Sequence, residues 1–552
     1  MTHAPSKRKP AFVLDMVHHN PGEAPFETAF SDSSHLREYG YNGKVFKHIN
    51  CIATFAATGV DCFPKGTPAH EWLEEFTAQI ESEMNDALQA RVAAFSHIDL
   101  FVLPKVLVDC FRKRLCDRNG RISIDNEFTL EIHRLLFNEL FSRYPRLDGL
   151  VVRHGETYLY DTPFHTGNGP VAWHAPLAEP ERDQDRFTRL ISFLREEICV
   201  KHKKTLIFRT WDYLPDRFHA NPDYYRTITD AIPPHPKLLF SIKHTRLDFF
   251  RRVDANAALG IGRHSQIIEV QCQREYEGKG AYPNYVAKGV IEGFPENTPP
   301  TGLADLLEHP LIRGVWTWSR GGGWYGPYVI NELWCDLNAY VVAGYAAGRG
   351  TEPELFLRYA ETYLGLNNKD AERFRELCKL SSEAVLKGRY CEAYDEPLEG
   401  KQVPVNLWMR DDRLGGATRL DVIFSALRES DRISVALAEK DESVVLWKRI
   451  SQLSREIQFP SESVQQFVRV SCDYGLLLFS RVALGWRAIS MCDHVSANSY
   501  WAARREYRAL ADSPFCPSLY IGRDFSMPGD VPGPGLDAAV SAISAPDDQQ
   551  ID

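Results

Sequence analysis

The sequence has no excess of basic residues and no long apolar run. Its 74 aspartates and glutamates outnumber the 64 lysines and arginines, which gives a formal net charge of -10. This balance excludes nucleic acid as the main partner, because neutralising phosphates requires a dense basic surface. No apolar stretch reaches the ~18 residues of a membrane span, and the first residues lack the apolar core of a secretion signal. We expect a cytoplasmic protein that binds neither nucleic acid nor a membrane.

The sequence also lacks paired cysteine motifs. Its 12 cysteines stand singly, without a CxxC pair or a Cys/His cluster at zinc spacing. This pattern argues against a disulfide framework and against a zinc site. Cys51, Cys199 and Cys272 lie in or beside apolar runs, where a free thiol behaves as a small hydrophobic side chain. We therefore expect reduced, structural cysteines and no metal site.

What the sequence does contain is an alternation of short apolar runs with longer amphipathic segments. The runs cover residues 11–17, 49–57, 97–104, 149–155, 205–211, 237–244, 266–273 and 314–319. Between them, segments such as 70–95 and 128–145 carry apolar residues at intervals of three and four, which indicates helices. Near-continuous apolar strands alternating with helices are typical of a parallel barrel that is covered on both faces. The pattern predicts a (β/α)8 TIM barrel over residues 8–345.

The pattern changes after residue 345. Residues 346–522 contain several long amphipathic segments with helical periodicity and no convincing strand, so they are predicted to form a C-terminal all-α domain. Residues 523–552 are rich in proline, glycine and aspartate. Such a composition predicts a loosely held, flexible tail.

Three carboxylates follow predicted strands of the barrel. Glu156 follows the fourth strand, Asp248 the sixth and Glu275 the seventh. Active sites of this fold lie at the C-terminal ends of the strands, so all three are expected at one mouth. Cleavage of a glycosidic bond needs one carboxylic acid to protonate the leaving oxygen and a second carboxylate to activate water or to attack directly. The three residues are therefore candidate catalytic groups.

Three cations also lie at strand ends, namely Arg153, Arg209 and Lys243. A neutral sugar would not require them. They indicate an anionic group on the substrate, most simply a uronate carboxylate held by charge-assisted hydrogen bonds. The alternative is that they form ion pairs with the candidate carboxylates and hold the site together.

Histidines and tryptophans complete the candidate site. His18 and His19 end the first predicted strand, where they are expected to bind sugar hydroxyls. A metal shared between them is disfavoured, since adjacent residues of a strand project in opposite directions. Trp211 and Trp324 are candidates for stacking on sugar rings, and Trp324 lies in a glycine-rich turn.

At these residues the chain resembles a known family. The segments FSIKHTRLDFF, IIEVQCQREYEGKG and IRGVWTWSRGGGWYGPYVINELW are similar to the core of the α-glucuronidases of glycoside hydrolase family 67. Upstream, DGLVVRHGE and IFRTWDY resemble two further segments of that family in the same order. The resemblance covers residues 145–350. It implies that this chain is a distant relative of the family, without the family's N-terminal domain.

The resemblance implies roles for the candidate residues. Glu156 takes the place of the general acid, and Asp248 and Glu275 take the places that activate water in an inverting reaction. Arg153, Arg209 and Lys243 fall on the family's contacts to the uronate carboxylate, with arginine replacing lysine at position 153. The implied activity is exo-cleavage of a uronic acid from an acidic oligosaccharide without a metal or organic cofactor. By analogy with other helical C-terminal domains, a homodimer through residues 346–522 is also expected.

Other interpretations of the same residues remain open. The interval between Asp248 and Glu275 is about one residue shorter than in the family, and an insertion-like segment separates Glu156 from Arg209. A retaining glycosidase with Glu275 as nucleophile is one alternative, and the distance between the carboxyl groups distinguishes it from an inverting enzyme. A catalytically silent uronate-binding protein is a second alternative, and a lyase acting on uronates is a third.

Overall fold

A computed structural model shows how the apolar runs assemble. It describes residues 10–18, 26–155, 157, 159, 162–169, 180–212, 217–297, 299–321, 329, 331–395, 409, 420–518, 521 and 535–543. Its strands are β1 (Phe12–His18), β2 (Gly43–Lys47), β3 (Ala93–Asp99), β4 (Val102–Pro104), β5 (Gly149–Arg153), β6 (His165–Gly167), β7 (Thr205–Arg209), β8 (Leu238–Lys243), β9 (Ser265–Gln271) and β10 (Ile312–Gly321).

Eight of these strands form a closed parallel barrel. Their order around the barrel is β1-β2-β3-β5-β7-β8-β9-β10, and β10 pairs with β1 to close it. The short strands β4 and β6 form a separate antiparallel pair. The predicted (β/α)8 barrel is therefore confirmed, with helices covering the outside of the parallel strands.

The second barrel strand differs from the prediction. The apolar run at residues 49–57 forms two short 3-10 turns, and β2 is instead the segment GKVFK. Its lysines obscured the strand pattern, but Lys44 projects outward to Asp86 and Glu83. The run at 49–57 is held as a turn partly by Glu139, whose carboxylate accepts the backbone N–H groups of Thr54 and Phe55.

Alternation along the strands separates an interior core from an exterior one. The interior of the barrel is filled by a cluster of apolar side chains: Leu14, Met16, Val45, Phe95, Val151, Ile207, Leu239, Phe249, Ile267, Trp316 and Trp318. Because side chains alternate with a period of two, the inward positions that follow toward the C-terminal strand ends are His97 and Asp99, Arg153, Arg209, Ser241 and Lys243, and Glu269. The apolar layers therefore end in a charged layer, which forms the floor of the mouth.

Helices surround the barrel and continue beyond it. Those up to residue 346 are α1 (Ser33–Tyr39), α2 (Pro68–Gln89), α3 (Lys105–Leu115), α4 (Glu127–Arg143), α5 (Pro180–Leu194), α6 (Pro222–Thr229), α7 (Ala287–Glu292), α8 (Leu303–Leu306) and α9 (Leu333–Ala346). They are followed by α10 (Glu352–Thr362), α11 (Asn368–Arg389), α12 (Glu392–Asp395), α13 (Leu420–Glu429), α14 (Ile433–Glu456), α15 (Glu462–Met491), α16 (His494–Ala509) and α17 (Leu536–Ser541). Within the described ranges, none of them has the length and apolar character needed to cross a bilayer.

The C-terminal helices share a core with the barrel. Trp334 of α9 stacks on Phe374 of α11, with ring centroids 5.9 Å apart, and its indole N–H donates to the Ser471 hydroxyl of α15 at 3.2 Å. One continuous apolar cluster contains residues of β1, β9 and β10 together with residues of α9 to α17. The helical region is thus packed against the side of the barrel that carries these strands.

Part of the segment predicted to be a flexible tail is ordered. Within residues 535–543, α17 buries Leu536 and Val540 completely, and Asp537 accepts hydrogen bonds from Arg481 and Arg504 at 3.0 and 2.9 Å. Two apolar residues spaced four apart therefore anchor this stretch on α15 and α16. The remainder of the predicted tail, apart from these nine residues, lies outside the described residues.

Candidate active site

The candidate site lies at the C-terminal ends of the barrel strands, as the sequence predicted for this fold. Seven of the predicted site residues belong to the described part of the chain: His18, Arg153, Arg209, Trp211, Lys243, Asp248 and Glu275. The predicted general acid Glu156 lies outside the described residues, as do His19 and Trp324.

Lys243 and Asp248 form an ion pair at the mouth. Lys243 is the last residue of β8, and its Nζ lies 2.5 Å from Oδ1 of Asp248 in the loop that follows. The other carboxylate oxygen of Asp248 accepts a hydrogen bond from the Tyr276 hydroxyl at 2.8 Å, and the Phe249 amide donates to Oδ1 at 3.1 Å. The Asp248 carboxylate is therefore held in one orientation by donors from two neighbouring loops.

This environment keeps Asp248 ionised. Burial on its own raises the pKa of the Asp248 carboxyl, but the charge and hydrogen bond of Lys243 act in the opposite direction, with help from Tyr276. The net result is a pKa below the ordinary value of an aspartate. A carboxylate that stays charged at neutral pH is suited to accept a proton or to attack, rather than to donate a proton.

Glu275 lies on the adjacent loop. β8 and β9 are neighbours in the barrel, so the loops after them run side by side. The backbone N–H of Glu275 donates to the side-chain carbonyl of Gln271 at 2.7 Å, and Glu275 is only 6% exposed. The next residue is Tyr276, whose hydroxyl binds Asp248. The structure thus brings the loops of the two predicted catalytic acids into direct contact.

Arg209 is engaged by a carboxylate that the sequence analysis did not single out. Its Nε and Nη2 donate to the two oxygens of Glu269 at 2.9 and 2.8 Å, and both side chains are fully buried. The Ser241 hydroxyl also donates to Glu269, at 2.8 Å. Nη1 of Arg209 faces Nε2 of His97 at 3.3 Å. Burial, and then the charges of Arg153 and Arg209, hold the pKa of His97 well below its ordinary value, so this imidazole is neutral and accepts the hydrogen bond.

Arg153 is paired in the same way. Its Nε and Nη2 each lie 2.5 Å from an oxygen of Asp99, and both side chains are 1% exposed. Asp99 ends β3 and stands directly opposite Arg153 of β5 in the parallel register. The sequence held a signal for both missed partners, since Asp99 and Glu269 are each the single acid of a buried strand.

The aromatic residues of the site surround Lys243. Nζ of Lys243 lies 3.5 Å from the centroid of the Trp211 ring and 4.6 Å from that of Phe249. His18 packs its ring against Trp318 with centroids 4.8 Å apart. Trp211 and His18 are 4% and 3% exposed. Trp211 therefore packs with the ammonium group, and its proposed role as a sugar platform stays a prediction.

Among the residues that the structure describes, no group of three or more histidine, cysteine, aspartate or glutamate side chains is arranged to hold a metal ion.

The fold and this mouth define a TIM-barrel protein whose strand ends carry closely packed acids and bases. No protein-family model and no curated protein matches the chain. Among solved structures, it is similar to a GH138 enzyme targeting pectin rhamnogalacturonan II, with 12% identity, a TM-score of 0.51 and coverage of 93% of this chain. The chain spans 63% of the length of that enzyme.

Two further structures cover most of this chain at lower similarity. CpGH84B is 11% identical with a TM-score of 0.39, and covers 97% of this chain and 77% of its own. The O-GlcNAc hydrolase of Thermobaculum terrenum is 10% identical with a TM-score of 0.35, and covers 97% and 93%. All three are glycoside hydrolases. At these identities, the likeness to the GH138 enzyme shows the shared barrel fold.

Proposed function

We propose that this protein is a glycoside hydrolase that removes a uronic acid from the end of an acidic oligosaccharide, as an inverting α-glucuronidase does. The observation that carries the proposal is the pairing of Asp248 with Lys243 at the mouth, on a loop joined to that of Glu275. An inverting reaction needs a charged base that activates water on the face of the sugar opposite the general acid. Asp248, with its lowered pKa, fits that requirement.

In the proposed reaction, Glu156 protonates the leaving oxygen while Asp248 and Glu275 orient and deprotonate the attacking water. The hydroxyl that results adds to the anomeric carbon as the glycosidic bond breaks, and the configuration is inverted. The similarity of the fold to glycoside hydrolases is consistent with this chemistry. The preference for a uronate rests on the family resemblance and not on unpaired cations, because Arg153, Arg209 and Lys243 already pair with Asp99, Glu269 and Asp248.

The test is a screen of aldouronic acids and other uronate-capped oligosaccharides, followed by proton NMR so that product and anomeric configuration are both observed. We expect release of a free uronic acid whose first-formed anomer is opposite to that of the substrate. Retention of configuration would instead favour Glu275 as a nucleophile. An unsaturated product that absorbs in the ultraviolet would identify a lyase, and calorimetric binding without any product would identify a silent uronate-binding protein.

Replacing Lys243 by methionine is expected to move the acidic limb of the pH-rate profile to higher pH. The substitution removes the main influence that lowers the pKa of Asp248, whereas burial, which raises it, remains. Asp248 then takes up a proton at a higher pH as the solution is acidified, and the base is lost sooner. The measurement is kcat/KM on an aldotriouronic acid as a function of pH.

The matched control is Lys288→Met, which removes an ammonium group that pairs with Glu292 on the surface of α7. Its profile should coincide with that of the unaltered protein. An acidic limb that stays in place in Lys243→Met would show that Asp248 is not the group whose protonation stops the reaction.

A further inference from the structure

The loops that carry Asp248 and Glu275 share a second connection, deeper than the mouth. This connection consists of a group of residues near the two acids in sequence and in α11. Arg251 lies in the loop after β8, and Arg274, Glu277 and Asn284 lie in the loop after β9. Ser382 lies in the last two turns of α11, and Tyr390 directly follows that helix. These residues are buried, apart from the half-buried Ser382. The proposed reaction does not use any of them.

Glu277 is the centre of this group on the β9 side. Arg274 donates to both of its oxygens, at 3.0 and 2.7 Å, and the Asn284 amide donates at 3.0 Å. Burial alone raises the pKa of Glu277, but the charge and hydrogen bonds of Arg274 outweigh it and bring the pKa to about 2. Glu277 is therefore a buried, charged acceptor two residues after Glu275.

Arg274 shows that the loop is held in an unusual backbone conformation. Its φ is 59°, in the left-handed region that residues with a side chain adopt rarely. A residue keeps such a conformation only when the surrounding contacts determine it. The pairing of Arg274 with Glu277 on the opposite side of Glu275 supplies such a contact, so the backbone around the predicted acid is fixed on both sides.

The Tyr390 hydroxyl joins this loop to the other one. It donates to Oε1 of Glu277 at 2.5 Å and accepts the backbone N–H of Arg251 at 3.0 Å. Burial, and then the charge of Glu277, raise the pKa of Tyr390, so the phenol keeps the proton that it donates. One hydroxyl oxygen thus connects a residue three positions after Asp248 with a residue two positions after Glu275.

The helix α11, which ends one residue before Tyr390, also binds the β8 loop through Arg251. Nη1 of Arg251 donates to the carbonyl and the hydroxyl of Ser382 at 3.1 and 3.0 Å, and Nε donates to Glu296 at 2.5 Å. The Tyr390 ring itself belongs to a small buried cluster with Phe250, Val253 and Tyr276. The hydroxyl is therefore anchored by its own packing, and α11 provides a rigid support for it.

We propose that Tyr390 is a positioning residue that sets the separation of Asp248 and Glu275 by holding their two loops to one oxygen atom. This inference rests on the proposed function, because it takes the two acids to be catalytic. Asp248 and Glu275 must both reach the same attacking water in the proposed reaction, and a displacement of about 1 Å can cost about 10²-fold in rate. The helical region would then contribute to catalysis without touching the substrate.

The test is the variant Tyr390→Phe, which removes one oxygen atom and keeps the ring in its apolar cluster. We expect kcat on an aldotriouronic acid to fall about 10- to 100-fold, while KM stays within about threefold because no substrate contact is lost. Amide hydrogen exchange, followed by mass spectrometry, should become faster at residues 244–256 and at residues 272–286, since both loops lose a common hydrogen-bond partner.

The matched control is Tyr474→Phe in α15. Its hydroxyl is also buried and lies 2.7 Å from the Tyr507 hydroxyl. It should leave kcat and the exchange of both loops unchanged. If Tyr390→Phe behaved like this control in loop exchange and in kcat, the inference would be overturned.

Two further variants separate this inference from the proposed function. Glu277→Gln replaces the charged acceptor and should lower kcat and speed exchange of the β9 loop, as Tyr390→Phe does; unchanged exchange there would contradict the inference. Asp248→Asn tests the catalytic assignment alone. If Asp248→Asn kept full activity, the proposed function would fail, whereas faster exchange of both loops in Tyr390→Phe would still establish the hydroxyl as the link between them.

Discussion

Asp248→Asn is expected to lower kcat on a uronate-capped oligosaccharide by about 10²- to 10⁴-fold, the range that a general base contributes. Asparagine has nearly the same shape as aspartate. Its carbonyl oxygen in the place of Oδ1 still accepts the hydrogen bond from Lys243, and its amide group in the place of Oδ2 donates to the Tyr276 hydroxyl oxygen instead of accepting from it. What it loses is the negative charge and the ability to take a proton from water. The measurement is the steady-state rate of uronic acid release, with KM determined in parallel.

Asp254→Asn is the control for this prediction, because Asp254 lies in the same loop and its side chain is exposed. Its kcat should match that of the unaltered protein. Glu275→Gln and Glu156→Gln, measured in the same assay, are expected to abolish turnover, since each removes a carboxyl group with a separate role. Activity close to the original in Asp248→Asn would remove Asp248 from the mechanism.

The barrel could be predicted from the sequence because its strands are nearly continuous apolar runs. Seven of the eight predicted runs overlap barrel strands. The run at 49–57 does not, because the second barrel strand is the preceding segment Gly43–Lys47, in which Lys44 and Lys47 hide the apolar pattern. Hydrophobicity alone does not reveal that Lys44 reaches outward to acids of α2. A strand whose polar residues are satisfied by a covering helix is therefore difficult to recognise from its own residues.

The sequence predicted where the candidate site residues lie, but it did not predict the ion-pair partners of Arg153 and Arg209. Lys243, Asp248 and Glu275 follow strand ends, and strand ends of this fold meet at one mouth. The partners of Arg153 and Arg209 depend on the register between neighbouring strands and on contacts across the barrel, which a single sequence does not contain. Tyr390 shows the same limit, because its partners Glu277 and Arg251 precede it by 113 and 139 residues.

The largest expected effect on stability concerns the ion pair inside the barrel. Arg209→Met should lower the free energy of unfolding by about 3–5 kcal/mol, because it leaves Glu269 as a fully buried carboxylate without its compensating charge. Methionine fills much of the arginine volume, so the loss comes mainly from the unpaired charge rather than from a cavity. The measurement is equilibrium unfolding in urea at neutral pH.

The double variant Arg209→Met/Glu269→Leu identifies the origin of that loss. Removing both charges should recover most of the stability, since replacing a buried ion pair by apolar side chains is often neutral or stabilising. Arg449→Met is the surface control: Arg449 and Glu376 are 40% and 48% exposed, and breaking their pair should cost less than about 1 kcal/mol. The Cζ atom of Arg209 lies 5.2 and 5.0 Å from the ring centroids of Trp316 and Trp318. If the double variant were as unstable as Arg209→Met, the loss of this packing would explain the destabilisation. Recovery in the double variant would instead show that the unpaired charge of Glu269, and not lost packing, destabilises Arg209→Met, so the intact pair itself adds little to the stability of the barrel.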